Sequence, residues 1–404
     1  MTNIKIDHNI KFTTATVGCF LRMPLSKKNL ALATLLATMQ SNASAFYPGI
    51  RKQTMALDKL YDAQLDIFPE VYGNQIIMQY VMNFVEPNQI LDPDYNYQKV
   101  IDIFFDIIDN PLLDKTLMKL AQNQLKEEYE SFYDIPANLA YKEFLESWYR
   151  QQPQYGSQLF GSIEDLENAT VEDIQNFFNE MKKAPSICLG QAIDPDAMTD
   201  YLQPYLTAAG FEKEFKVTDL VIEAKEDPIE KVAPHRSLQG QILIGYGYGQ
   251  KLERRLRQFG GLFLSHYLAG DESSKLFTEV REELGAAYGV EAVDYFNNSL
   301  FLVSSSIDKN KYSEVEKIIV DSVKEVQAGI VDQEVFEKSK KALKRIYLEA
   351  PDRQGIEIVQ MLTNSLRGRE TTFEDRVKAV EEFSSEQMIE FAKTLFMNER
   401  YYLV

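Results

Sequence analysis

At 404 residues the chain is too long for one ordinary core and predicts two domains of about 200 residues each. Its 61 acidic against 43 basic residues give a formal net charge of −18, which argues against a nucleic-acid partner because phosphates need a basic surface. Hydrophobic content of 45% with 26% charged residues excludes a disordered chain, and the acidity itself reads as solubility.

In chain order, residues 10–20 predict a strand rich in Thr and Phe. Ser26 is placed to cap the following helix; Asn29 stands where a capping box needs Glu or Gln, so no box is expected. That helix runs through Met39, Phe46-Tyr47-Pro48 closes the region, and 49–65 predict a second helix. Residues 66–85 alternate as two antiparallel strands turning at Tyr72-Gly73-Asn74. Helices are expected over 97–110, 114–133 and 137–150. The first of these carries Asp102, Asp106 and Asp109 on one face and is too short and too charged to span a bilayer. Thr170, with Asp173 in the first turn, opens another helix. Residues 186–193 read as a strand, and Asp194-Pro195 starts a helix.

The charged stretch 217–239, holding Pro228 and Pro234, reads as a linker between domains at 1–216 and 240–404. The second half repeats the order: strand 241–248, helix 252–268, strands to 306, helices to 396 and a last strand 401–404. At an offset of 218, Asp114, Leu125, Lys126, Tyr129 and Asp134 recur as Asp332, Leu343, Lys344, Tyr347 and Asp352. Leu113 and Leu117 become Val331 and Val335. One αβ unit duplicated in tandem is the simplest account. Gly245, Gly247 and Gly249 alternate after an apolar strand, but the third falls one position early for a dinucleotide loop, so a glycine-rich strand end is expected. The two cysteines, Cys19 and Cys188, lie far apart without paired spacing. No disulfide framework or zinc knuckle is expected, which fits a reducing cytoplasm. No signal segment is visible in the first thirty residues.

The chain is organised around the stretch 268–290. Ser273 or Ser274 is placed to cap a short helix whose Leu276, Phe277, Val280 and Leu284 share one stripe. Gly285 ends it as a left-handed stop, and a strand begins with Tyr288 near its start. Arg281 in the last turn and Tyr288 beyond the break are then placed to face one opening. The Ser273-Ser274-Lys275-Leu276-Phe277 run, Arg281-Glu282, Gly285 and Tyr288 seven residues after the arginine resemble the C-terminal domain signature of the pitrilysin and insulinase zinc metallopeptidases. That family includes mitochondrial processing peptidase. The resemblance implies an α+β fold of two tandem related domains, each a mostly antiparallel sheet with packed helices. It implies that Arg281 and Tyr288 hold a substrate peptide and help neutralise the oxyanion, with Ser273, Ser274, Phe277 and Gly285 as substrate-binding residues.

The same family binds zinc through His-x-x-Glu-His and a downstream glutamate. The two histidines, four residues apart, share one helical face. Only His8, His235 and His266 occur here, none within five residues of another, so the motif is absent. Aligned on Phe46-Tyr47-Pro48, its register falls on Thr34-Leu35-Leu36-Ala37-Thr38. Thr34 and Thr38 stand for the histidines and Ala37 for the general base. The downstream glutamate matches Glu128, and a helper carboxylate seven residues earlier becomes Ala121. Glu128 alone holds no metal and also reads as a solvated helix carboxylate.

The expectation is a non-catalytic subunit without a cofactor of its own, in the cytoplasm. Its partner is a homologous peptidase subunit carrying the zinc, and its substrate a peptide or small unfolded protein. The alternative is a peptide-binding or scaffolding homologue with no role in hydrolysis.

Overall fold

A computed structural model describes residues 3–211, 213–249, 252–283, 285 and 287–404. Strands β1, Ile4–His8, and β2, Thr14–Pro24, precede helices α1, Lys27–Asn42, and α2, Ile50–Asp58. A hairpin of β3, Gln64–Tyr72, and β4, Gln75–Val85, comes next. Then come α3 (Tyr97–Ile108), α4 (Lys115–Tyr133), α5 (Pro136–Trp148), α6 (Ile163–Asn168), α7 (Val171–Lys182), β5 (Ser186–Ala192) and α8 (Pro195–Ala209). The second half begins with β6 (Ile229–Ala233), β7 (Gln239–Gly247), α9 (Arg254–Ala269), β8 (Ala287–Tyr295) and β9 (Leu300–Asp308). It ends with α10 (Tyr312–Gln327), α11 (Gln333–Glu349), α12 (Gln354–Arg367), α13 (Phe373–Glu382), α14 (Ser385–Ala392) and β10 (Phe396–Leu403).

The chain forms two compact units, each drawn from three segments. The first holds Met1–Glu130, Ser157–Asp219 and Asp352–Glu370; the second holds Ser131–Gly156, Leu220–Pro351 and Thr371–Val404. Their sheets share one topology. The order is β1-β5-β2-β4-β3 in the first and β6-β10-β7-β9-β8 in the second, with only the outermost β1–β5 and β10–β6 pairings parallel. This is the α+β architecture of two related domains that the signature implied. The 218-residue offset is visible in detail, because α4 and α11 begin in register at Lys115 and Gln333. Each is capped by an aspartate one residue earlier: Asp114 Oδ1 accepts from the amides of Thr116 and Leu117, and Asp332 Oδ1 from those of Glu334 and Val335.

In the first unit, α1 buries Leu30, Leu35, Leu36 and Met39. Ser26 Oγ caps it, accepting from the Asn29 amide at 3.1 Å. Helix α12 packs over β2 and β5; Gln354 bonds the side chain and carbonyl of Thr14, and Glu357 accepts from Asn9 and Gln191. The acidic face of α3 is partnered: Asp102 accepts from Tyr205, Asp106 from Tyr47 at 3.0 Å, and Asp109 pairs with Lys182 at 2.6 Å. The helix expected over 49–65 stops at Asp58. Tyr61 and Asp62 take positive φ, and the alternating Leu65-Asp66-Ile67 run starts β3 at Gln64 instead.

The expectation for the cysteines is corrected. Cys19 on β2 and Cys188 on β5 are direct cross-strand partners, 4.4 Å apart at Cα, and form a disulfide. Their 169-residue separation hides that the two strands are neighbours, and with it goes the cysteine argument for a reducing compartment. No described helix is long and apolar enough to cross a membrane.

In the second unit, one sheet face packs Ile242, Ile244, Phe301 and Val303 against Phe263 of α9 and Phe383 and Phe391 around α13–α14. The other face packs Leu243, Leu302, Tyr401 and Leu403 beneath Phe144 and Trp148 of α5. A Cβ on Gly245 would lie 2.6 Å from Phe144 and 2.8 Å from Trp148, so the glycine run at the end of β7 admits these rings. The stretch read as a linker contains β6, and Leu220 and Ile222 within it are buried.

Candidate functional site

The signature begins where α9 ends. Ser273 and Ser274 do not cap a helix by accepting. Their hydroxyls donate instead, Ser273 Oγ to Asp271 Oδ1 at 2.7 Å and Ser274 Oγ to the Asp271 carbonyl at 2.6 Å. Asp271 Oδ1 also accepts the Ser273 amide, so the aspartate organises the turn. The next turns depart from the regular α-helix expected from the stripe. Phe277–Glu283 is wound as a π-helix, the wider form that carries one more residue per hydrogen-bonded ring. Leu276 and Val280 remain fully buried and Phe277 half-buried, so the described part of the expected stripe faces inward despite the wider winding. Thr278 bonds the Ser274 carbonyl through both its amide and its hydroxyl.

Lys275 fastens this turn to the unit. Its ammonium lies 2.6 Å from Glu279 and 2.8 Å from Glu325 on α10, while Ser322 donates to the other Glu279 oxygen at 3.2 Å. The two carboxylates together push the lysine above its ordinary range, against the opposing effect of its burial. Arg281, by contrast, is exposed, with its guanidinium 4.6 Å from the centre of the Phe277 ring. Stacking on an aromatic face restrains the arginine and keeps its exposed, forked donors where an incoming carbonyl or carboxylate can reach them. Gly285 takes φ 58°, the left-handed stop read from sequence. Tyr288 occupies a β-bulge of edge strand β8, between Ala287 paired to Ile307 and Gly289 paired to Ser306. Its side chain and all of Leu284 lie outside the described residues, and with them the expected convergence of Arg281 and Tyr288.

The degenerate zinc positions lie in the first unit. Thr34 Oγ1 donates to the Leu30 carbonyl at 2.8 Å and Thr38 Oγ1 to the Thr34 carbonyl at 2.9 Å. Both hydroxyls are thus turned back on α1, and neither faces a neighbouring ligand. Ala37 and Ala121 are buried. Glu128 is exposed on α4, the solvated carboxylate of the simpler reading. Among the described residues no group of three His, Cys, Asp or Glu side chains is placed to hold a metal ion. His266 is half-buried on α9, and burial lowers its pKa.

Two carboxyls escaped the sequence reading. Glu399, in a bulged part of β10 opposite Gly245, is fully buried, and its oxygens make no well-formed hydrogen bond, the Ser147 hydroxyl being a nearby donor of poor geometry. Burial raises its pKa to about 7, with Ser147, Arg150 and Lys231 only partly offsetting the rise. Asp294 on β8 accepts from Tyr248 at 2.6 Å, and burial raises it to about 7 as well, against the pull of Tyr248 and Arg257. Neither residue sits in a recognisable motif, so only the tertiary contacts reveal them.

Fold and signature together define a two-domain, metallopeptidase-like protein whose metal-binding motif is missing. Residues 168–343 match the family model described as the peptidase M16 inactive domain, and the matched segment contains the whole signature. The resemblance to zinc metallopeptidases is thereby shown, on its inactive side. Among curated proteins, the chain is 20% identical to the probable inactive metalloprotease YmfF of Bacillus subtilis, over 97% of this chain and 93% of that protein. It is 19% identical to an uncharacterised zinc protease of the same organism, covering 77% and 75%. Among solved structures, a conserved protein from Enterococcus faecalis superposes with TM-score 0.90 at 19% identity, covering 100% and 96%. A peptidase M16 inactive domain from Pseudomonas fluorescens superposes with TM-score 0.79 at 13% identity, covering 99% and 94%; at these identities the likeness is one of fold.

Proposed function

We propose that the chain is the non-catalytic subunit of a two-chain peptidase, supplying Arg281 and Tyr288 to a zinc site on a homologous partner. The observation that carries this reading is an asymmetry between the two halves. The signature holds Arg281 exposed on Phe277, whereas the zinc-motif positions on α1 are filled by Ala37 and by Thr34 and Thr38, whose two hydroxyls are tied to the backbone. A peptide carbonyl attacked by zinc-bound hydroxide gathers negative charge, and a phenol and a guanidinium aimed at that charge stabilise the transition state more than the ground state. Ser273, Ser274, Phe277 and Gly285 would act by shaping the turn that presents Arg281, and the substrate would be a peptide or small unfolded protein.

The test reconstitutes the chain with a homologue bearing His-x-x-Glu-His. Tyr288→Phe keeps the ring and is expected to lower kcat by roughly 10²–10³ with little change in folding. Arg281→Ala is expected to raise KM as well, since it also positions the peptide. Near-normal kinetics for both variants in an assembled pair would favour the second reading, a peptide-binding or scaffolding protein with no part in hydrolysis. The relative named a probable inactive metalloprotease, matched over 97% of this chain, supports a non-catalytic role in either case.

A further inference from the structure

The second unit carries a groove that neither the signature nor the zinc-motif positions use. Helix α5 covers β10, β7 and the Leu300–Leu302 end of β9, and a cavity of about 590 Å³ lies between the helix and the rest of that face, over Ser304 and Ser306 of β9 and over β8. The strand pairing orders its floor into rows. Gln241, Ser306 and Gly289 form one row, Leu243, Ser304 and Glu291 the next, and Leu302 with Val293 a third. Tyr141 of α5 and Tyr295 of β8 stand at the apolar end, ring centres 6.1 Å apart. Ser306 donates to the Gln241 side-chain oxygen at 2.8 Å, and both residues line the groove. Nothing lies within 4 Å of a Cβ built on Gly289, so the floor is open there, and Val293 is 38% exposed although it sits on a strand face.

We propose that this groove binds a short extended peptide segment carrying a basic side chain, which Glu291 receives. Three features select that ligand. The volume falls in the range of ligand pockets and holds about four residues of extended chain. Neutral amides and hydroxyls at one end and leucine, valine and tyrosine at the other suit a peptide's alternation of backbone polarity and apolar side chains. Glu291 is the only charged side chain lining the groove among the described residues, it is exposed, and no cation pairs with it. A cationic group there gains a partner, and an anionic one meets only repulsion, reinforced by the −18 net charge. The proposal stands on the groove alone and requires neither zinc nor a partner subunit.

Fluorescence anisotropy on the full chain tests it, with two labelled probes, Ac-Val-Lys-Val-Lys-Val-Lys-amide and the same peptide with Glu for Lys. Saturable one-to-one binding of the basic probe is expected, with none of the acidic one. Glu291→Gln, a change at an exposed position that leaves the core untouched, should weaken the basic probe by about fivefold, the upper end for an exposed charge pair. Ser304→Trp should block the groove and abolish binding; circular dichroism of that variant establishes that it is folded. Glu337→Lys, a charge change on exposed α11 outside the groove, should leave affinity unchanged. Absence of saturable binding at millimolar protein overturns the proposal. So does equal binding of both probes, or a loss with Glu337→Lys as large as with Glu291→Gln, which would mean the net charge and not the groove attracts the peptide.

Discussion

Glu399 shows how one side chain sets the conditions under which the second unit is stable. Its folded pKa, raised by burial from 4.5 to about 7, lies above its unfolded value. The folded state therefore holds the proton more tightly, so the contribution is complete below about pH 4.5 and is lost as pH rises through 7. The full span amounts to about 3 kcal/mol. Glu399→Gln removes the titration. Denaturant melts at pH 5 and pH 8 should show the wild type losing stability relative to the variant at the higher pH. Parallel curves for the two proteins would mean the buried carboxyl is hydrated or already paired. Asp294 titrates in the same range, so the difference between wild type and variant is the quantity to read. Residues of this kind are invisible in a sequence, where Asn398-Glu399-Arg400 reads as polar; only the face of β10 beneath α5 buries the middle one.

Among the elements, those whose ends are marked by side-chain chemistry were legible. Ser26, Thr170 and Asp194 cap the helices they were read to cap, and the capping box at Thr170 and Asp173 is present. The hairpin turn falls at Gly73, with φ 59°. Two things were not legible. The π-winding of Phe277–Glu283 keeps the described part of the apolar stripe that a regular helix would show, so periodicity does not separate the two forms. Nor does periodicity say which sheet a helix covers: α5 belongs to the second unit although it lies early in the chain, and α12 to the first although it lies late. The repeated caps give an element-scale prediction. Asp332→Ala leaves two amides at the start of α11 without their acceptor and should cost about 1 kcal/mol, and Asp114→Ala should cost a similar amount at α4. Chemical melts of the two variants check this. A loss under a few tenths of a kcal/mol in both would mean that water replaces the caps freely.

At the scale of the whole molecule, the repeated topology was foreshadowed by five identities at an offset of 218. The family signature was readable because its residues are contiguous. The disulfide was not, because it joins strands 169 residues apart. The same scale sets the expectation for assembly. Copies of a chain at −18 repel one another, which disfavours self-association at low salt without forbidding it. Phe46, Ile50 and Met55, between α1 and the middle of α2, are 59%, 50% and 47% exposed, an apolar surface that suits a partner lacking that repulsion. On the subunit reading, a zinc-bearing homologue is the productive partner. Light scattering at physiological salt should give a mixture in which one of each chain co-elutes as a dimer. Ile50→Glu, at an exposed position, should weaken that dimer without unfolding the chain. A mixture that elutes as two separate monomers at micromolar concentration would sink the subunit reading. The groove beside α5 could still bind peptide in that case, because its lining belongs to this chain alone.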